Sequence, residues 1–411
     1  MAQRVRGTWD WRRQRVASIL SVHAQLVQSD LVAWCIVITL DTRGATVSNA
    51  SHPSPIWDHH RSTVRAFLAS SPTTAARRVP ALPNLPMELA TQDLAALGAG
   101  DVIRVSAKIP RAAPRTFALL AACLVFPLSF AVLAHSLFTH PILRRLKTSD
   151  YTAGAAQWIA LFGYQFLYLI FLFTFSLLST AAAVFTVASL YAAKPASIAS
   201  SLSALPTILP RLLRTFLWVS LLMFAYNTVF VIALLILLIV FVPSPTTPPS
   251  LSFLLILLVV VLVFLAIHVY ISVLWHLASV ISVLEPICGL AAMSKSRQLL
   301  QGRTRMAAVL VISYFAACGV TASMFYSGVV KGRGEEGSLG LILPVKILVG
   351  ALMVSVLVIV NLLGLLVQSV FYYACKAFHN QQIDRTQLYE HLSVYLGEYV
   401  PLKRSIQMEN L

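Results

Sequence analysis

Charge is what this chain has least of. Only 11% of its 411 residues are Asp, Glu, Lys or Arg, where a soluble domain carries roughly a quarter. The long apolar runs hold no Asp or Glu, and Glu285 stands only at the edge of one. A carboxylate in hydrocarbon is kept for a purpose, usually an ion or proton path, so its absence argues against a proton- or sodium-coupled carrier. The five cysteines are scattered, odd in number and without a CxxC pair, which gives neither a disulfide framework nor a zinc site. No P-loop, H-E-x-x-H pair or nucleophile elbow is present. No cofactor or metal is therefore expected. A basic groove interleaved with aromatics is also missing, which removes nucleic acid as a partner.

What is present is apolar sequence in long stretches. Apolar residues make up 58% of the chain and mean hydropathy is +0.79. A membrane-crossing helix needs about 20 consecutive apolar residues, and the chain has six such runs. A soluble protein with this composition would need several helices apolar on every face. The fold class expected is all-α: an integral membrane helical bundle of about six transmembrane helices with two interfacial cytosolic elbows.

Four parts follow along the chain. Residues 1–86 contain ten Arg, no Lys, no Glu and four of the seven Trp. The leading expectation is a disordered or spurious extension, with translation starting at Met87. The Arg- and Ser-rich, acid-poor composition also fits an organellar transit peptide, and a small cytosolic domain is the third reading. Residues 87–115 form a cytosolic N-terminal segment carrying Arg104, Lys108, Arg111 and Arg115. Residues 116–375 hold the six-helix transmembrane domain, and 376–411 a cytosolic tail with a short amphipathic helix capped by Asp384.

The spans are expected near 116–138, 158–190, 216–242, 251–284, 306–330 and 341–375. An even number puts both ends on one side. The N-terminal segment, the 191–215 and 285–305 connections and the tail together carry fifteen Lys and Arg; the connections on the opposite side carry five. By the positive-inside rule both termini are cytosolic, in an endomembrane or the plasma membrane.

The two connections rich in basic residues look alike. An offset of 91 superposes Pro195 on Pro286, Leu202 on Met293, Leu209 on Leu300 and Arg214 on Arg305. Such an arrangement would be a parallel internal repeat, against which stands chance alignment of low-complexity apolar sequence. Each connection reads as an elbow lying on the membrane surface. Proline opens its first turn, and Gly289, Ala291 and Ala292 allow close approach. Lys295, Arg297, Arg303 and Arg305 would meet anionic lipid at the cytosolic face of the bilayer.

Polar residues inside apolar spans are the candidates for function. His268 and His276 lie about 80° apart on a helical wheel, roughly one face. They could relay protons or bind a metal; packing within the bundle is the plainer use. Asn361, like Gln165, Asn227 and Gln368, reads first as interhelical hydrogen-bond glue. Lys346 opens the sixth span and can snorkel to the interface. Glu285, just ahead of Pro286, suits the positive end of a helix. His379 and Asp384 have the H-x4-D spacing that resembles the first motif of glycerolipid acyltransferases, although the family's other motifs are missing. In the tail, Tyr399 and Leu402 fit a Y-x-x-Φ sorting signal, and Cys375 is placed for palmitoylation beside the membrane.

Several stretches carry a resemblance to a known family. PLSFAVLAHSLFTHPI (Pro127–Ile142), FLWVSLLMFAYN (Phe216–Asn227), SVLEPICGLAAMSKSRQLLQGR (Ser282–Arg303) and the tail from Tyr373 are similar to plant polytopic membrane proteins of unassigned function. The resemblance covers Met87 to the end and implies a six-span membrane protein without transferring a catalytic residue. More distantly, the hairpin plan resembles membrane domains attached to some bacterial glycerophosphodiester phosphodiesterases, whose catalytic domain this chain lacks.

The function expected is non-enzymatic: a scaffold, trafficking or lipid-environment protein, with protein partners unassigned. A channel or facilitative carrier using the polar residues of spans four and six is the second reading. A lipid-modifying enzyme at His379 and Asp384 is the third.

Overall fold

In the computed structural model, residues 91–148, 154–192, 198–241, 251–331, 339–381 and 392 are described. Every regular element among the described residues is a helix. Two short helices, α1 (Thr91–Ala96) and α2 (Ala99–Lys108), lead in, and Val102, Ser106 and Ile109 bury one stripe on the bundle. The first span comprises α3 (Pro114–Leu120) and α4 (Phe126–Thr148), joined by the π-helical turn Ala121–Val125. The turn has a local cause. Pro127 has no N–H to offer the carbonyl four residues earlier, so the ladder is disturbed just ahead of it.

The remaining long helices are α5 (Gly154–Tyr191), α6 (Ile198–Phe241), α7 (Leu251–Leu284), α9 (Thr304–Phe325) and α10 (Leu343–Phe378), with the short α8 (Leu290–Leu300) between α7 and α9. Six helices are long and apolar enough to cross a membrane. Their outer faces are apolar and bare: Phe166, Leu217, Ile239, Leu251 and Leu348 are each more than 60% exposed. Water would penalise such surface heavily, whereas a bilayer covers it. The chain is an integral membrane protein.

The second span is the axis of the packing. From Ser179 to Ser189 every residue of α5 is buried. Ser179, Thr180, Ala181, Ala182 and Ala183 are small, so neighbouring helices can approach closely on all sides.

The two expected elbows differ. The second is present: α8 is a separate helix with Gly289 (φ 64°) before it and Gly302 (φ 80°) after it. Left-handed backbone at both ends lets the chain turn sharply. α8 folds back against α7, with the Ser296 hydroxyl donating to the Leu274 carbonyl at 3.0 Å. The first elbow is not a separate helix. From Ile198 the chain runs as one helix to Phe241, with Pro206 and Pro210 inside it. No glycine interrupts residues 195–216, and Ala204, Leu205, Ile208 and Leu212 are buried in the core instead of lying on a surface. The proposed repeat thus aligns a continuous helix with a broken one.

Candidate functional site: a chamber at the junction of the six spans

A partly open cavity of about 180 Å³ lies between the spans and is lined by residues of all six. His268 and Asn361 sit at the midpoints of their spans, Leu251–Leu284 and Leu343–Phe378, and both line this cavity together with His276 and Gln368. The one-face placement of His268 and His276 is therefore realised. Hydroxyls of Ser176, Ser179 and Thr180 add to the polar part of the wall, while Leu, Val and Phe side chains supply most of the rest. Among the described residues, no Asp, Glu, Lys or Arg lines it.

Two hydrogen-bonded groups shape the wall. His276 Nδ1 lies 3.1 Å from Gln368 Oε1, joining spans four and six. Tyr314 donates its hydroxyl to Asn361 Oδ1 at 2.8 Å, and Asn361 Nδ2 donates to Ser129 Oγ at 2.8 Å, which links spans five, six and one. Gly364 makes room for the Tyr314 ring: a Cβ there would stand 2.9 Å from the ring. His268 is fully buried, its ring 5.9 Å from Tyr226 and 5.7 Å from Phe315. Among the described residues, no three His, Cys, Asp or Glu side chains converge as a metal site would need. The chemistry on offer is neutral hydrogen bonding inside an apolar shell.

Ser129, Tyr314 and Gly364 were not singled out from the sequence. Ser129 and Tyr314 lie close to the middle of their spans, which is the signal that could have found them, because a polar group there needs a partner. Gly364 has the weaker signal of a small residue inside a span.

The other candidates lie elsewhere. Glu285 pairs with Lys376 at 2.9 Å and accepts the Tyr372 hydroxyl at 2.6 Å. Its partners are thus on the sixth span, and not a helix N-terminus as expected, since α8 begins only at Leu290. Burial pushes the Glu285 carboxyl up, but the Tyr372 hydroxyl, Lys376 and the nearby Lys295 outweigh it and hold the group below the usual carboxylate range. Lys346, expected to snorkel, donates to the carbonyls of Lys331 at 2.9 Å and Val329 at 3.4 Å, fastening the sixth span to the end of the fifth.

Arg303, expected at a lipid surface, is buried. Its guanidinium donates to the carbonyls of Ala95 and Leu97 and lies over the Phe378 ring, so it holds α1 onto the bundle. His379 Nε2 is 3.1 Å from the Leu299 carbonyl at the end of α8. Cys375 is fully buried, away from any acylation chemistry. Asp384, Tyr399 and Leu402 lie outside the described residues, as does residues 1–86. Leu392, from the expected tail helix, is helical and buried in the core.

No curated protein and no solved structure matches the chain. A family model described as Domain of unknown function (DUF8558) matches residues 87–411. This membrane bundle, with its elbow and its polar-lined chamber, belongs to that family.

Proposed function

We propose that this protein is a non-enzymatic facilitative carrier for a small neutral molecule, which it binds in the chamber between the six spans. The observation that carries the reading is that His268, His276, Asn361 and Gln368 line one cavity, with His268 and Asn361 at the midpoints of spans four and six. Carriers bind at the mid-depth of the membrane, where helices of different parts of the fold meet. A wall without ionised side chains does not suit an ion. Size sets a further bound, because a cavity of roughly 150 Å³ accommodates benzene. The chamber, at about 180 Å³, has room for a molecule of at least that size. The membrane side of the elbow is cytosolic in this proposal, as the basic excess there suggests, with anionic lipid against exposed Arg297 and Arg305.

The test is uptake of small neutral solutes into proteoliposomes. Purified protein is expected to speed entry of at least one such solute, and His268→Ala with His276→Ala to abolish that acceleration. If no solute of this class enters faster than through protein-free vesicles, the carrier reading fails and a scaffold role regains the ground. Turnover of lipid lost in His379→Ala would instead favour the enzyme reading.

A further inference from the structure

We propose that the elbow-side ends of spans two, four and six form a latch, which shuts the chamber toward the elbow and opens to pass its cargo. The inference rests on the carrier reading above and names its gate. These three spans pack against one another. On them the cavity wall ends at Thr180, Ser279 and Phe371. Past those residues, positions 181–189, 280–284 and 372–375 are all buried, and the larger apolar side chains among them join one cluster. The opposite ends have no such plug. Among the described residues, span four has only Phe253 buried ahead of His268, and span six has none buried ahead of Val354. A site closed on one side and loosely packed on the other is what one state of an alternating-access carrier presents.

Beyond the cavity wall, contacts tie the three ends together. Glu285, just past span four, pairs with Lys376 of span six at 2.9 Å and accepts the Tyr372 hydroxyl at 2.6 Å. Tyr373, the next residue, stacks on Tyr191 at the end of span two, with ring centroids 4.6 Å apart and planes at 14°. Neighbouring residues of span six thus hold both other spans. The closed arrangement also carries a reason to open. The Tyr373 hydroxyl is buried and has no hydrogen-bond partner among the described residues. An unmet buried hydroxyl disfavours the packed state, and water would satisfy it once the ends part. The ion pair and the stack therefore hold shut a closure that this hydroxyl opposes. Removing one side or the other of that balance shifts the two populations in opposite directions.

The reporter is Cys318, which lines the cavity from span five, in the full chain with its other four cysteines replaced by serine or alanine. Sealed vesicles with the elbow face outward are treated with a small impermeant methanethiosulfonate, and mass spectrometry follows the rate of labelling. Vesicles of the opposite orientation give the rate from the other side. The unsubstituted latch is expected to react slowly from the elbow side. Glu285→Gln and Tyr191→Leu should each raise that rate about tenfold, the change that about 1.4 kcal/mol of lost closure gives. Tyr373→Phe should lower it, a direction that a loosened or unfolded bundle does not produce. Rates from the opposite side should not rise. An elbow-side rate unchanged in Glu285→Gln or in Tyr191→Leu overturns the latch. So does a rise equal from both sides, or faster labelling in Tyr373→Phe. Each of these leaves the carrier reading standing, because solute uptake by the wild-type protein judges that reading separately. The expected labelling pattern without uptake of any solute overturns the carrier reading and leaves the gate.

Discussion

Lys376 Nζ lies 2.9 Å from Glu285 Oε1, so the end of the sixth span is tied by charge to the residue that opens the elbow. Both side chains are mostly covered, at 20% and 17% exposure. The pair stands between an exposed ion pair, worth about 0–1 kcal/mol, and a buried one, whose breaking costs about 3–5 kcal/mol. Lys376→Met leaves the carboxylate against Tyr372 without its cation. A loss on the order of 1–3 kcal/mol is expected on that scale, read as a lower unfolding midpoint in detergent. The pH dependence has a definite sign. The folded carboxyl titrates below its ordinary value, so its contribution is complete above the usual carboxylate pKa and disappears as pH falls through the folded one. Melting between pH 7 and pH 3 should show this fall only at the acid end, and Glu285→Gln should flatten it. A midpoint that falls equally in Glu285→Gln would assign the acid sensitivity to another group.

Arg303 sets the position of the N-terminal helices. Its guanidinium donates to the Ala95 and Leu97 carbonyls while lying 4.8 Å from the Phe378 ring centroid. A planar fork can reach two carbonyls and stack at once; an ammonium cannot. Arg303→Ala is expected to raise amide hydrogen exchange across residues 91–108 at least tenfold, and Arg303→Lys to recover only part of the protection. The spans themselves should keep their exchange rates. Unchanged exchange in α1 and α2 would show that their apolar stripe, with Val102 and Ile109, suffices to hold them.

The six spans were legible because their signal is local: a run of apolar residues long enough for the bilayer. The first elbow was misread for an equally local reason. Pro195 and the basic residues suggested a break, but a helix stops sharply where the backbone can turn left-handed, and only the second connection has Gly289 and Gly302 for that. The chamber was half legible. His268, His276 and Asn361 stood out as polar residues in apolar helices, and the wheel put the histidines on one side. That Gln368 would meet His276, or Tyr314 meet Asn361, depends on which helices are neighbours, and a single sequence does not encode that locally. The same limit hid the partners of Glu285 and Arg303. Counting Arg303 as a surface cation was an error of that kind, since residues 91–97 cover it.

Gly364 offers a direct test of how tightly the chamber wall is packed. A Cβ at this position would lie 2.9 and 3.1 Å from two carbons of the Tyr314 ring, which is itself fixed by its hydrogen bond to Asn361. Overpacking of this kind costs about 1–3 kcal/mol, against a gain of up to roughly 1 kcal/mol from replacing glycine by alanine in a helix. Gly364→Ala is therefore expected to be destabilising by about 1–2 kcal/mol. Tyr314→Leu removes the ring that the methyl would strike. In the Tyr314→Leu background the alanine should cost nothing or stabilise, and the double-mutant cycle, followed by chemical or thermal unfolding, measures the difference. Additive effects would mean that the ring moves aside freely.

The proposed orientation is decided by labelling at two exposed sites on opposite ends of the bundle. Arg297 is exposed on the elbow helix, and Leu339 is 58% exposed in the connection before the sixth span. The basic excess on the elbow side predicts that it faces the cytosol. In intact cells, if the protein is at the plasma membrane, an impermeant maleimide should then react with Leu339→Cys and not with Arg297→Cys in a background free of other cysteines. Permeabilising the cells should bring Arg297→Cys up to full labelling. For an internal membrane the same pair is read in sealed vesicles, where the accessible site is the one on the cytosolic side, and the expected order reverses. Arg297→Cys labelled in intact cells while Leu339→Cys is protected would invert the topology. It would also move Glu285, Lys376 and the whole elbow to the outer surface, where the attraction of anionic cytosolic lipid for Arg297 and Arg305 no longer applies.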